Sequence, residues 1–178
     1  NKNGFNGTSD WNACFDKTLE LFNFQAPCYY EDEKPSRCSF NGVYQPPIQQ
    51  NIKFIGMSAF YYTWQFLKLK TGTDSDNLNT LRNVAETVCN KTLAQQKERN
   101  PKQIKLQNQC FNAAYVYHLL HDGYHMDLDK TPVQVFNEIE GSEVTWCLGA
   151  IMVKANNLSF EYEQNNVYEV LFFVTLGL

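Results

Sequence analysis

Apolar residues recur at Trp11, Phe15, Leu19 and Phe22, a helical spacing that puts them on one face, and Asp10 directly before them is a favourable N-cap. This pattern predicts a first helix with one buried side. From Gln25 to Pro35 two prolines and a run of acidic residues predict a surface loop. Ser39 to Tyr44 is a short strand candidate, interrupted by Asn41-Gly42 as a bulge or tight turn and ended by Pro46-Pro47. Ile52, Phe54 and Ile55 predict a second strand before Gly56.

From Ser58 to Leu69 one side carries Phe60, Trp64 and Leu67, and another carries Tyr62, Phe66 and Leu69. A helix apolar on nearly all sides is expected to be central. Ser75 is the expected cap of the next helix, with Leu78, Leu81, Ala85 and Val88 inward and Asn79, Arg82 and Glu86 outward. Gln95 to Lys105, broken by Pro101, reads as a polar loop, and a helix is expected from about Gln107 to His121, ended by Gly123. Thr131 to Ile139 alternates as a strand does. Ser142 or Thr145 can cap a last helix in which Trp146, Gly149, Ala150 and Val153 would pack closely onto a sheet. Strands alternating with helices imply an α/β fold, a mixed sheet with helices on its faces.

With 178 residues the chain has room for one ordinary domain, and its 13 Phe, 10 Tyr and 3 Trp supply a large buried area. A net charge of −4 and the lack of a dense Lys/Arg stripe argue against a nucleic-acid surface. Six cysteines form no CxxC pair and accompany three glycosylation sequons, at Asn6, Asn90 and Asn157, which favours an oxidising, secretory compartment. Cys28 with Cys38 is one local bridge candidate and Cys89 with Cys110 a second; spacing alone leaves the connectivity open. The chain begins with Asn rather than Met, so any signal peptide is expected upstream. Residues 167–178, VYEVLFFVTLGL, stop short of the ~20 residues of a spanning helix. They read as the start of a truncated membrane anchor, with a final buried strand as the alternative.

The residues offer no paired carboxylates, no Cys/His dyad and no lysine-bearing glycine loop, so no catalytic residue is assigned. His118, His121, Asp122 and His125 form a tempting cluster, yet only His118 and His121 share a helical face, which favours a structural role over a metal site. Tyr61 and Tyr62 open the aromatic helix, where a ring face could meet a planar ligand. The Asn41-Gly42 and Gly141-Ser142 turns place small residues where backbone can approach a ligand, although such turns are commoner as plain turns. Trp146 is expected to be buried against a close helix contact, with Cys147 as a buried thiol beside it. The basic residues from Lys97 to Lys105 form a solvated face or, in the sharper reading, place a cation over a nucleobase.

Three segments in fixed order, CSFNGVYQPP at 38–47, SAFYYT at 58–63 and GSEVTWCLGA at 141–150, together resemble the C-terminal half of the ecto-nucleoside triphosphate diphosphohydrolases, or ecto-apyrases. The resemblance extends to CFDKTLELFN at 14–23 and CFNAAYVYHLLHDGYH at 110–125. It implies the second lobe of an actin-like (RNase H-like), two-lobed nucleotide phosphatase over residues 1–166, followed by the apolar tail. The implied activity is hydrolysis of nucleoside tri- and diphosphates with Ca2+ or Mg2+, at the cell surface, in secretions or in the endomembrane lumen. By resemblance Tyr62 stacks on the base, Ala59 lies near it, and Lys105 is the nearest match to the basic residue on its other face. Trp146, Leu148 and Gly149 match the final family motif. The family's cysteine pattern supports the two bridges and implies an upstream partner for Cys14, whereas Cys147 departs from it. The phosphate loops and the catalytic glutamate of the family precede every segment present, so this chain alone is expected to be inactive. The alternative is a non-enzymatic secreted binding or adhesion domain.

Overall fold

In the computed structural model, residues 7–28, 38–49, 52–72, 76–129, 133–143 and 146–156 are described, with the side chains of residues 143, 146 and 148 excepted. The chain divides into two units, 1–142 and 143–178. The first begins at Asp10, whose side chain accepts from the Ala13 N–H at 3.0 Å and starts α1 (Trp11–Leu19). Trp11 and Phe22 are buried, the latter on a single 3₁₀ turn, Glu20–Phe22. Leu19, expected on the buried face, is 38% exposed because the chain tightens into that turn and carries it outward.

Ser39 to Tyr44 is a tight turn rather than a strand. Phe40–Gly42 forms a 3₁₀ turn with Asn41 and Gly42 at φ of 55° and 72°, closed by one antiparallel bridge between Cys38 and Tyr44. The strand β1 (Phe54–Gly56) pairs in parallel with β2 (Val133–Val135), Phe54 opposite Val133 and Gly56 opposite Val135. Gly56 is required there: a Cβ would lie 3.0 Å from the Phe60 Cβ and 3.3 Å from Val133 Cγ1. The described part of the strand expected over Thr131 to Ile139 is two short strands, β2 and β3 (Glu138–Ile139), the latter closing a hairpin with β4 (Ser142–Glu143) through Glu140 and Gly141 at positive φ, and residues 131 and 132 lie outside the described residues.

The helix α2 (Ala59–Leu67) buries Thr63, Trp64, Phe66 and Leu67 but leaves Tyr62 49% exposed. Next is α3 (Leu78–Cys89), with Leu78, Leu81, Ala85 and Val88 buried as their spacing predicts. Its cap is Asn77, not Ser75; the Asn77 side chain accepts from the Thr80 N–H at 2.9 Å, and Ser75 lies outside the described residues. The expected polar loop from Gln95 begins inside a helix, α4 (Leu93–Arg99), which a reciprocal Thr92–Gln95 capping box starts. The central helix is α5 (Gln109–His118), which packs on α1, α2 and α3, so α2 does not have the central place its all-round apolarity suggested. A 3₁₀ turn, Leu106–Asn108, leads into α5 and a π turn, Leu119–Gly123, ends it. Gly123 serves close approach rather than a left-handed cap, since a Cβ would meet the Phe40 ring at 3.1 Å.

The second unit contains α6 (Trp146–Asn156). Within this unit a Cβ at Gly149 would meet nothing within 4 Å, and Ala150 and Val153 are exposed. Cys147 is likewise exposed, not a buried thiol. The Trp146 and Leu148 side chains lie outside the described set, as do residues 167–178. Among the described residues no helix is long and apolar enough to cross a membrane. Among the described residues this is a mixed α/β structure, with six α-helices, a two-stranded parallel sheet and a short hairpin.

Disulfides join Cys28 to Cys38 and Cys89 to Cys110, the second tying the end of α3 to the first turn of α5. Cys14 is a half-buried free thiol. Opening the Cys89–Cys110 loop by the paired substitution Cys89→Ala, Cys110→Ala is expected to cost about 3 kcal/mol of stability. Chemical denaturation measures it; a loss below about 1 kcal/mol would show that α3 and α5 hold together without the bridge.

Candidate functional site

The aromatic start of α2 faces the segment that leads into α5. Between them lies a cavity of about 410 Å³ lined by Ala59, Tyr62 and Gln65 on one side and by Lys102 to Lys105, with Asn108, Gln109 and Asn112, on the other. Ala59, Tyr62 and Lys105, the three residues singled out for nucleotide contact, are thus brought to one cavity. Among the described residues two ammonium groups, from Lys102 and Lys105, and no carboxylate line it. Such a site suits an electron-rich or anionic ligand.

Local chemistry positions each group. The Tyr62 N–H donates to Ser58 O at 3.1 Å in the first turn of α2, and its ring meets that of Tyr61 edge-on, centroids 5.6 Å apart. Tyr61 packs against the core, so Tyr62 has a fixed neighbour while remaining half exposed. Lys105 adopts left-handed backbone, φ 53° and ψ 42°, a conformation that costs a non-glycine residue about 1–2 kcal/mol. Its carbonyl accepts from the Asn108 N–H at 3.0 Å, and the Gln109 side chain donates to the Ile104 carbonyl at 3.4 Å. Ser58, at φ 55°, also lines the cavity, so two non-glycine residues with positive φ border it.

The carboxamides of Gln65, Gln103, Asn108, Gln109 and Asn112 were not anticipated. Two signals existed: Gln65 is three residues from Tyr62, and Asn112 three from Gln109, so each pair shares a helical face. Amides can donate and accept toward the edge of a planar ring.

The other candidates resolve differently. His118 is buried, with Nδ1 2.6 Å from Asp122 Oδ2 and Nε2 donating to the Phe15 carbonyl at 3.0 Å, so it fastens α5 to α1. His121 Nδ1 is 3.0 Å from the other Asp122 oxygen, and His125 Nε2 donates to Cys38 O at 3.0 Å. Asn41 accepts from the Asn23 amide at 3.0 Å, as an ordinary turn residue. A larger cavity, about 540 Å³ between Pro46, Pro47, Ile55, Tyr124 and Met126, carries no charged residue among the described residues of its lining.

The profile of the GDA1/CD39 (nucleoside phosphatase) family matches residues 1–167. The chain belongs to this nucleoside phosphatase family. It is 38% identical over 152 residues to ectonucleoside triphosphate diphosphohydrolase 2 of Mus musculus, an alignment covering 84% of this chain and 29% of that protein. Ectonucleoside triphosphate diphosphohydrolase 3 of Homo sapiens is 31% identical over 160 residues, covering 88% of this chain and 28% of that protein. Nucleoside-diphosphatase mig-23 of Caenorhabditis elegans is 29% identical over 155 residues, covering 82% and 28% respectively. The chain thus spans less than a third of the length of these family members.

Among the described residues of this family member no group of three or more His, Cys, Asp or Glu is placed to hold a metal ion. Burial works to raise the Asp122 pKa, but hydrogen bonds and charge from His118 and His121 outweigh it and hold the carboxyl below its ordinary value. The folded pKa is depressed, so the stabilisation is present above the unfolded value of about 3.9 and is lost as pH falls through the folded value. Asp122→Asn is expected to cost about 1–3 kcal/mol at pH 7 and to flatten the acid side of the stability curve. Urea titrations from pH 6 down to pH 3 measure this; a wild-type to variant gap that stays constant across that range would contradict it.

Proposed function

We propose that the intact protein hydrolyses nucleoside tri- and diphosphates, and that this chain forms the base-binding wall of its cleft as the C-terminal lobe, residues 1–166, of an actin-like two-lobed enzyme. The observation that carries the reading is the single cavity shared by Ala59, Tyr62 and Lys105. The Tyr62 ring would stack on one face of the base, the Lys105 ammonium would lie toward the other, and the carboxamides would meet its edge. Family membership and the names of the relatives support the substrate class.

The chemistry itself belongs to the remainder of the protein. Phosphate grip and activation of the attacking water come from the other lobe, and these residues hold and orient the nucleoside end so that the phosphates are presented to it. Ca2+ or Mg2+, which the family reading includes, would take its ligands mainly from the nucleotide, water and the other lobe. A surface, secreted or endomembrane-lumen location is supported by the two disulfides and the sequons. Asn90 is exposed and engages the Trp11 N–H through Oδ1 at 3.0 Å, a geometry compatible with a glycan on its amide nitrogen. Asn6 and Asn157 lie outside the described residues, and residues 167–178 are proposed as the beginning of a membrane anchor.

Phosphate release from ATP and ADP with Ca2+ or Mg2+ tests this reading on the 178-residue chain and on the full reading frame. Activity in the longer protein alone is expected; activity in neither would favour a binding domain. In the intact protein Tyr62→Ala is expected to weaken nucleotide binding by about 1–3 kcal/mol, raising KM about five- to 150-fold. An unchanged KM would remove Tyr62 from the site.

A further inference from the structure

The last turn of an α-helix leaves four carbonyls without partners inside the helix. In α2 these belong to Trp64, Gln65, Phe66 and Leu67. The chain reversal at Lys68, φ 60°, satisfies two of them: the Lys68 N–H donates to Gln65 O at 3.1 Å and the Leu69 N–H to Trp64 O at 2.9 Å. One distant side chain satisfies the other two. Arg99 Nη1 donates to Phe66 O at 2.9 Å and Nη2 to Leu67 O at 3.1 Å.

The location makes this more than a surface bond. Phe66 and Leu67 are fully buried, at 0% and 1% exposure, and the guanidinium over their carbonyls is half-buried, so water only partly replaces a lost partner. The guanidinium sits at the negative end of the α2 dipole, and its planar fork spans two successive carbonyls where an ammonium would serve as a single point charge. Arg99 ends α4, and the chain then runs directly into Lys102 to Lys105. Its other ties do not reach α2: the Cys89–Cys110 bridge closes the segment between α3 and α5, Gln96 Nε2 donates to Lys91 O at 2.8 Å, and the Gln109 side chain donates to Ile104 O. Among the described residues the Arg99 fork supplies the hydrogen bonds that join this stretch to α2.

We propose that Arg99 is the positioning residue of the base pocket. By fastening α4 to the end of α2 it sets the gap between Tyr62 on one wall and Lys105 on the other. This inference rests on the base-binding reading of the cavity. Arg99 touches no ligand in this account; it acts through the spacing of two groups that do.

The test uses the intact protein with Arg99→Ala and Arg99→Lys, each alone and combined with Tyr62→Ala. Steady-state ADP hydrolysis gives KM and kcat, and amide hydrogen exchange reads residues 100–108. Arg99→Ala is expected to raise KM on the order of tenfold with kcat changed less than about twofold, and Arg99→Lys to recover part of the loss. Exchange at 100–108 should rise while that of α3 does not. In the Tyr62→Ala background the effect of Arg99→Ala on KM should shrink, because widening a gap whose stacking ring is gone matters little. An unchanged KM, a fully multiplicative effect with Tyr62→Ala, or an exchange increase spread over α3 would overturn the proposal. If Tyr62→Ala itself leaves KM unchanged, the base-binding reading has failed, and the pocket role of Arg99 falls with it. The exchange result then separately decides whether Arg99 fixes the segment.

Discussion

Ala113 and Ala114, fully buried in the middle of α5, let α1, α2 and α3 all pack against that one helix. Larger side chains there would push the layers apart, because interiors at native density have no room for extra methylenes. Every functional feature is referenced to this contact. The first turn of α5 carries Cys110, bridged to α3, and its last residue, His118, donates to a carbonyl of α1. A helix fixed at both ends, and packed by small residues between them, presents Gln109 and Asn112 to the cavity from a rigid base.

The pocket forms where that packing stops. The aromatic face of α2 points Trp64 and Phe66 into the core, yet its opening residues, Ala59 and Tyr62, line open space together with the lysines of the connecting segment. Positive φ at Ser58 and Lys105 puts conformational strain on both sides of the same cavity, and such strain persists only where surrounding bonds determine it. Around Arg82 a different arrangement serves stability: its guanidinium lies 5.1 Å from the Phe15 ring centroid and 5.7 Å from that of Tyr117, linking three helices by their aromatic faces. Burial raises the Tyr117 pKa against the opposing influence of that cation.

The helices with one clear apolar stripe were legible. The buried set of α3 and the span of α5 follow from spacing because packing and propensity agree there. Helix α4 was missed although Thr92 and Gln95 stand three apart as a capping box requires; a helix whose buried residue is Gln96 shows no hydrophobic period. Strand lengths were overestimated because alternation measures half-burial, and the pairing that limits β1 and β2 to three residues each is a tertiary matter. For the site, physics alone offered Tyr61 and Tyr62 at a helix start and a cation from the run Lys97 to Lys105; Ala59 and the choice of Lys105 came from family resemblance. The Arg99 fork had no local signal, since its acceptors are backbone carbonyls 32 and 33 residues away.

The central claim is that the cavity between α2 and the Lys102–Lys105 segment receives a nucleobase. A crystal structure of the intact protein with a non-hydrolysable nucleotide analogue tests it most directly. The account predicts the base stacked on the Tyr62 ring with the Lys105 side chain over its opposite face. A base bound elsewhere, with the Tyr62 cavity empty, would contradict it.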